Sequence, residues 1–172
     1  MEKDEVIIVN KKDRQIGTME KVEAHRQGLL HRAFSIFIFN SKNEMLLQKR
    51  AINKYHSGGL WTNTCCSHPK PGEDMDAAAN RRLMEEMNIN CSIKKVFSFI
   101  YKKEVDNYLI EHEFDHVYLG KFDGVPEPNH KEVLQWKFTE WSTLKLDVKQ
   151  NPGHYTEWFK IGLKKVDSFL KK

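Results

Sequence analysis

Short apolar runs of the kind that form β-strands dominate the first fifty residues. A β-branched run over residues 6–9, a polar turn and a returning run predict a hairpin that ends near residue 19. The aromatic and aliphatic run 34–39 is followed by a polar turn and then by the run 45–50, which predicts a second hairpin. The intervening segment 20–30 is polar and receives no predicted element.

A helical pattern follows over residues 73–87, with an apolar face made by Ala79, Leu83 and Met87. Arg82 and Glu86 lie four residues apart on a different face. Asp74 or Asp76 can cap the N-terminus, because a short acidic side chain accepts hydrogen bonds from the first free N–H groups of a helix. This segment is therefore predicted to be an amphipathic helix against the sheet.

Strand and helix patterns alternate in the rest of the chain. Residues 93–101, 108–119 and 135–138 predict strands, and residues 139–148 and 154–172 predict helices, the last with an apolar stripe made by Trp158, Ile161, Val166 and Phe169. No repeat, linker or low-complexity segment interrupts the series. We therefore predict one α+β domain over residues 1–172, with a mixed sheet.

Composition narrows the class of protein. The 172 residues include 40% apolar and 30% charged residues, with a net charge of +4, which suits a soluble domain with a full core. No basic run is dense enough to predict nucleic-acid binding, and no apolar run is long enough to span a membrane. Residues 1–5 are charged, so no signal peptide is expected, and three cysteines with two adjacent favour a reducing cytoplasm.

Candidate chemistry lies in two stretches. In residues 61–69, Cys66 stands two positions before His68, a spacing that can serve a metal, a nucleophile or a proton transfer, although adjacent cysteines are also common as small core residues. Strand periodicity puts Glu111 and Glu113 on one face, where two carboxylates repel unless a cation or a shared proton relieves them. An exposed acidic strand face is the alternative.

Histidines extend this set to a nitrogen and oxygen donor group made by His25, His31, His68, Glu111 and Glu113. Imidazole with carboxylate suits zinc, manganese or iron better than calcium. Spacing alone does not show that these five residues meet.

The motif W-T-N-T-C-C-S-H-P at residues 61–69, the helix segment R-R-L-M-E-E at 81–86 and the pair Glu111 and Glu113 closely resemble the type I isopentenyl-diphosphate isomerase family. The resemblance runs from about residue 6 to about residue 169. It implies the Nudix fold, a mixed β-sheet sandwiched between helices, with a core over about residues 30–140 and an added N-terminal hairpin and C-terminal helix. It also implies interconversion of isopentenyl and dimethylallyl diphosphate.

The Nudix signature has the form G-x5-E-x7-R-E-U-x-E-E-x-G-U, in which U is a bulky aliphatic residue. In this chain Ser67 replaces the first glycine and Asn88 replaces the last. Arg82 replaces the glutamate that helps to hold magnesium in Nudix hydrolases, and an arginine suits phosphate better than a metal. The isomerase family shows the same replacement.

The resemblance also implies roles for individual residues. Cys66 is implied as a catalytic acid/base and Glu113 as its counterpart, with Tyr101 near Glu113. Glu86 and Cys66 are implied to hold magnesium with the diphosphate, and Arg50, Lys54 and Arg82 to bind the diphosphate itself. Trp158 is implied as an aromatic wall beside the reacting carbons, on a helix that can act as a lid. The divalent transition metal, manganese or zinc, is implied at His25, His31, His68, Glu111 and Glu113. His112 receives no role, and Cys65 and Cys91 are interpreted as core residues.

Two other functions stay open from the sequence. A Nudix hydrolase of a nucleoside or isoprenoid diphosphate is supported by Glu85 and Glu86, and opposed by Arg82 and by the added histidines. A non-catalytic Nudix-like binding module is the other, but it has no need for Cys66 and the His/Glu group. The expected partner is a small isoprenoid diphosphate, without nucleic acid or membrane, and a cytoplasmic monomer is the default.

Overall fold

Nine strands join into one mixed sheet in the computed structural model, which describes residues 4–172. The strands are β1 (Glu5–Val9), β2 (Gln15–Glu20), β3 (His31–Phe39), β4 (Glu44–Arg50), β5 (Trp61–Thr62), β6 (Cys65–Ser67), β7 (Ile93–Val105), β8 (Leu109–Lys121) and β9 (Val133–Glu140). The helices are α1 (Lys21–Gln27), α2 (Met75–Met87), α3 (Trp141–Gln150) and α4 (Glu157–Leu170), with a 3-10 turn at Pro152–His154. In the described range no helix is long and apolar enough to cross a bilayer.

Strand β3 is the centre of this sheet. It runs parallel to β8, with His31 beside Glu113, and antiparallel to the short strand β6, with Ser35 beside Cys66. Strand β7 pairs with the far edge of β8, while β4 continues the sheet towards β5 and β9. The parallel pairing makes the sheet mixed and brings residues from four separate parts of the chain to the beginning of β3.

Apolar side chains on the two faces of the sheet form two separate cores. On one face Phe34, Ile36 and Ile38 pack against the apolar stripe of α2, which includes Ala79, Leu83 and Met87. On the other face Phe37 packs with α3 and α4, and the ring of Phe37 lies 6.2 Å from that of Phe159. Each core contains twelve buried residues, and burial of one large aliphatic or aromatic side chain contributes roughly 1.5–3 kcal/mol. The predicted α+β architecture with helices on both faces is confirmed.

Three local predictions were wrong. Segment 20–30, left without an element, contains α1, which Glu20 caps by accepting hydrogen bonds from the N–H groups of Val22 and Glu23. Cys66, in a stretch for which no strand was predicted, lies in β6, since residues 65–67 complete the edge of β3. Helix α3 begins at Trp141, because β9 extends to Glu140. The cap of α2 is Asp74, one of the two candidates.

Candidate active site

A cleft lies where β6, β8, α2 and the loop after β4 meet. It collects nine of the predicted site residues: Arg50, Lys54, Cys66, His68, Arg82, Glu86, Glu111, Glu113 and Trp158. Four further residues line it that were not predicted: Lys21, Tyr55, His56 and Ser67. The predicted residues His25, His31 and Tyr101 contact the two carboxylates at its base.

Two buried histidines reach the carboxylates from α1 and β3. The Nδ1 atom of His25 lies 2.7 Å from the carbonyl oxygen of Lys21, and that of His31 lies 2.8 Å from the carbonyl oxygen of Leu29. A carbonyl only accepts hydrogen bonds, so each Nδ1 carries the proton and each Nε2 presents a lone pair. Both Nε2 atoms are buried and have no hydrogen-bond partner among residues 4–172.

Strand alternation turns both glutamates of β8 towards these histidines. His25 Nε2 lies 3.3 Å from Glu111 Oε1, and His31 Nε2 lies 3.6 Å from Glu113 Oε1. Burial raises the pKa of the Glu111 carboxyl, but the close contacts with the imidazoles of His25 and His56 outweigh it, so the net pKa is well below the usual range. Glu111 is therefore a buried carboxylate that needs positive charge or donors around it.

The phenol of Tyr101 supports the second glutamate. Tyr101 on β7 stands directly beside Glu113 in the sheet, and its hydroxyl donates to Glu113 Oε2 at 2.7 Å. Burial, with the Glu113 carboxylate beside it, holds the pKa of the Tyr101 phenol well above its usual value. The phenol therefore remains a donor at neutral pH and fixes one oxygen of Glu113.

His68 completes the group on the other oxygen of Glu113. Its Nε2 lies 3.1 Å from Glu113 Oε1. Burial lowers the pKa of the His68 imidazole to about 4, although Glu113 opposes this effect. The ring is therefore neutral at pH 7 and need not lose a proton to bind a cation.

These residues fit a divalent metal ion. Donor atoms of His25, His31, His68 and Glu113 all lie within 4.8 Å of one another, and those of His25, His56 and Glu111 form a second, overlapping group. Buried imidazole nitrogens without partners and two buried carboxylates are the donors that zinc, manganese and iron prefer. Four of the five predicted ligands thus lie in one group, and the fifth, Glu111, lies in the overlapping group with His56.

Cys66 approaches the cleft from the opposite side of β3. In β6 the side chains alternate, so Cys65 points into the α2 core while Cys66 lines the cleft. Burial raises the pKa of the Cys66 thiol to about 12, and the nearby Arg50 opposes this only partly. The group is a neutral thiol at pH 7 and can donate a proton.

Cations occupy the outer part of the cleft. Arg82 on α2 donates to Glu86 Oε1 at 2.6 Å, and Gln48 donates to the other Glu86 oxygen at 2.8 Å. Lys54 forms an ion pair with Glu132, and Lys21 forms one with Asp4. With Arg50, four cationic side chains line this end, an arrangement that suits an anionic group.

Trp158 forms one wall of the cleft from the first turn of α4. The Arg50 guanidinium lies 5.0 Å from the centre of its ring, within the range of a cation–π interaction. Helix α4 also buries Phe159, Leu163 and Val166 in the core, and Thr156 donates its N–H to the carbonyl of Trp61. This face of α4 is therefore packed in the core, and the helix places Trp158 in the cleft wall.

Other residues of the signature stabilise the site from outside it. Arg81 donates to both oxygens of Glu73, at 2.6 and 2.9 Å, and also pairs with Glu85. These pairs tie the turn before α2 to the helix. His112 points to the opposite face of β8, where its Nδ1 lies 2.9 Å from the carbonyl of Gly28.

Sequence reasoning missed His56, Tyr55 and Lys21. The first two lie in the loop after β4, where no periodicity reports which side chains turn inward. Lys21 is the first residue of α1, which was not predicted. A signal for the loop was present in the adjacent aromatic and imidazole side chains before Ser57-Gly58-Gly59, because large rings are uncommon in a purely solvated turn.

Known proteins resemble this chain in sequence over most of its length. A NUDIX domain model matches residues 29–159. The chain is 49% identical to isopentenyl-diphosphate Delta-isomerase 2 of Aromatoleum aromaticum over 165 residues, covering 96% of this chain and 87% of that protein. It is 51% identical to isopentenyl-diphosphate Delta-isomerase 2 of Photorhabdus laumondii, covering 91% and 89% of the two chains.

Solved structures show the same fold at low identity. A Deinococcus radiodurans protein superimposes with a TM-score of 0.79 at 17% identity, covering 94% of this chain and 98% of that one. The MutT protein of Methanosarcina mazei gives a TM-score of 0.68 at 16% identity, covering 83% and 96%.

Proposed function

The chain belongs to the isopentenyl-diphosphate Delta-isomerase family of NUDIX-domain proteins, and from this we infer that it interconverts isopentenyl and dimethylallyl diphosphate. The observation that carries the inference is the content of one cleft. A thiol, a carboxylate with a phenol, a buried His/Glu group and four cations face the same space. This combination suits a small anionic molecule whose hydrocarbon end must gain and lose protons.

The reaction needs two acid/base groups. The double bond moves when one carbon gains a proton and the neighbouring allylic carbon loses one, by way of a tertiary carbocation. In our proposal Cys66 and Glu113 exchange these protons, since they approach the cleft from strands on either side of β3. Each group donates in one direction of the interconversion and accepts in the other.

Tyr101 and Trp158 act on these steps in different ways. Tyr101 keeps Glu113 oriented through its hydrogen bond, which limits the carboxylate to one direction of proton transfer. Trp158 presents a π face, which stabilises a cation without a nucleophilic atom that traps it. Burial of the Trp158 ring also keeps water from the reacting carbons.

The diphosphate end is assigned to Arg50, Lys54 and Arg82, with magnesium held by Glu86 and Cys66. Magnesium there supplies charge neutralisation of the diphosphate. Arg82 already touches Glu86, so the arginine that replaces the hydrolase glutamate stands next to the proposed magnesium ligand. Binding energy from this end holds the five-carbon chain in register.

A divalent transition metal, manganese or zinc, is proposed at His25, His31, His68, Glu111 and Glu113. When bound, it supplies positive charge that tunes the proton affinity of Glu113. A cytoplasmic location and a monomeric state complete the proposal.

One assay tests the proposed function. Isopentenyl diphosphate with magnesium in deuterated water should yield dimethylallyl diphosphate with deuterium in its new methyl group. Phosphate release from a panel of nucleoside and isoprenoid diphosphates should stay at background, which separates the isomerase from a hydrolase. Release of phosphate without isomerised product would overturn the proposal.

A further inference from the structure

His56 is a buried histidine that the proposed function does not use. It lies in the loop between β4 and β5 and is only 1% exposed. Its Nε2 lies 2.6 Å from Glu111 Oε1, the same oxygen that His25 Nε2 approaches at 3.3 Å. A fourth imidazole, after those of His25, His31 and His68, therefore contacts the carboxylates, from a segment of the chain that supplies none of the five predicted ligands.

Several contacts hold the His56 ring in this orientation. The backbone carbonyl of His56 accepts a hydrogen bond from Arg50 at 3.1 Å. The backbone N–H of the next residue, Ser57, donates to Asp106 at 2.7 Å. The Tyr55 ring packs edge-on against it at 4.3 Å, and Trp158 does so at 5.6 Å. The imidazole is thus fixed towards the cleft rather than free to turn outward.

The two nitrogens of His56 follow the pattern of His25 and His31. The Nδ1 atom lies 3.0 Å from the Ser57 hydroxyl oxygen, which can accept a hydrogen bond from the Nδ1–H group. The Nε2 atom is buried and has no hydrogen-bond partner in the range 4–172, because the short contact with Glu111 does not have the direction of a hydrogen bond. In all three histidines, Nδ1 is anchored outward and Nε2 faces the carboxylates.

The distances match those between donors that share one ion. Metal–nitrogen and metal–oxygen bonds of about 2.0–2.2 Å place neighbouring ligands at right angles roughly 3 Å apart. The contacts of Glu111 with His56 and His25 measure 2.6 and 3.3 Å, and that of His68 with Glu113 measures 3.1 Å. His56 stands at such a distance from a carboxylate ligand.

We propose that His56 is a fourth imidazole ligand of the metal centre, bound next to Glu111. The proposal rests on the metal centre of the proposed function, to which it adds one donor. The candidate donors are then six, from His25, His31, His56, His68, Glu111 and Glu113, in two overlapping groups that share His25. With six protein donors bound, the metal would have no open position for substrate and would act through Glu113 rather than by direct contact.

Cobalt substitution tests this ligand count. Each imidazole bound to Co²⁺ keeps one ring N–H, which gives a strongly shifted proton resonance that disappears in deuterated water. The Co²⁺-loaded wild type should show four such resonances, and His56→Gln should show three, with Co²⁺ affinity at least about tenfold lower. His112→Ala, which removes a histidine from the other face of β8, should leave both readouts unchanged.

Other outcomes contradict the proposal in different ways. Three shifted resonances in both wild type and His56→Gln would show that His56 is not a ligand, even if the affinity falls. Equal affinity of wild type, His56→Gln and His68→Ala would instead overturn the metal centre itself. Because His56→Gln keeps a side chain of similar length, circular dichroism of each variant separates loss of the ligand from loss of the fold.

Discussion

Two adjacent cysteines show how strongly the environment of a single residue determines its chemistry. Cys65 is completely buried in the core beneath α2, whereas Cys66 faces a cleft that contains cations and carboxylates. The sequence identified Cys66 through its spacing to His68, and the alternation of β6 now explains the difference. His56 shows the opposite case, since it lies in a loop where no periodic pattern indicates which way a side chain points.

We predict that Cys66 and Glu113, the two groups proposed to exchange protons, are each essential for turnover. Cys66→Ala and Glu113→Gln should each lower turnover at least about 100-fold, the lower range for acid–base catalysis. Diphosphate affinity should survive in Glu113→Gln, because Glu113 belongs neither to the proposed cationic group nor to the proposed magnesium ligands. Steady-state kinetics with isopentenyl diphosphate measures both quantities. Cys91→Ala, a half-buried thiol away from the cleft, is the control, and near-normal turnover by Cys66→Ala would remove this assignment.

A second prediction concerns Arg82. Arg82→Glu replaces a donor of charge-assisted hydrogen bonds, worth about 1.5–3 kcal/mol, by a repulsive charge. The Michaelis constant for isopentenyl diphosphate should rise at least about tenfold. Arg81→Glu is the matched control, because Arg81 precedes it on α2 but pairs with Glu73 outside the cleft. Equal Michaelis constants for Arg82→Glu and wild type would place Arg82 outside the substrate site. The variant Arg82→Gln tests the loss of the positive charge without the added repulsion.

Short elements carry more of this site than long ones. Helix α1 has only seven residues and no apolar stripe, so its pattern could not be predicted, yet it supplies His25 and Lys21. The longer helix α2 was predicted together with its cap, because thirteen residues span enough turns for the apolar positions to show a helical period. Helix α1 follows Glu20 and helix α3 follows Glu140. Each of these glutamate side chains accepts hydrogen bonds from two backbone N–H groups at the start of its helix.

The cap of α3 gives a pH-dependent prediction. Hydrogen bonds from Ser142, with further ones from the N–H of Thr143, lower the pKa of Glu140 to about 2 from its usual 4.5. A lowered folded-state pKa means that the cap stabilises fully above about pH 4.5 and loses its effect as the pH falls towards 2. The melting temperature of wild type should exceed that of Glu140→Gln above pH 4.5, and the difference should vanish near pH 2.

Thermal melts between pH 2 and 7 measure this difference. Glu104→Gln, which changes an exposed carboxylate on β7, controls for the general titration of surface acids. A difference between wild type and Glu140→Gln that stays constant over the whole pH range would show that the charge of Glu140 does not stabilise the cap.

The fold class of the protein could be predicted from the sequence, but the order of the strands in the sheet could not. Alternating strand and helix patterns, with the family resemblance, led to the α+β architecture and the helices on both faces. The parallel pairing of β3 with β8 could not be derived, because it depends on long-range packing of Phe34, Ile36 and Tyr118 in one core rather than on any local pattern. That same pairing is what places His31 beside Glu113.

The site should therefore stabilise the entire fold when it binds metal. An ion that binds only the folded chain contributes about 2.7 kcal/mol at 100 times its dissociation constant. For a protein of this size, that corresponds to a rise of roughly 5–10 °C in melting temperature. Zinc or manganese added to chelator-treated protein should produce this rise, while His68→Ala should abolish it and His112→Ala should retain it. Equal melting temperatures with and without metal would contradict a single tight site.

The pairing of His31 with Glu113 also has a consequence for metal binding while the protein is being synthesised. Translation delivers the two residues in an order fixed by the chain, and at about 5–20 residues per second the second follows the first by roughly 4 to 16 s. During that interval a nascent chain exposes imidazoles without the glutamates that belong beside them. Tight loading of the ion must therefore wait until β8 has left the ribosome, so an early nascent chain has only weak, exchangeable sites for metals.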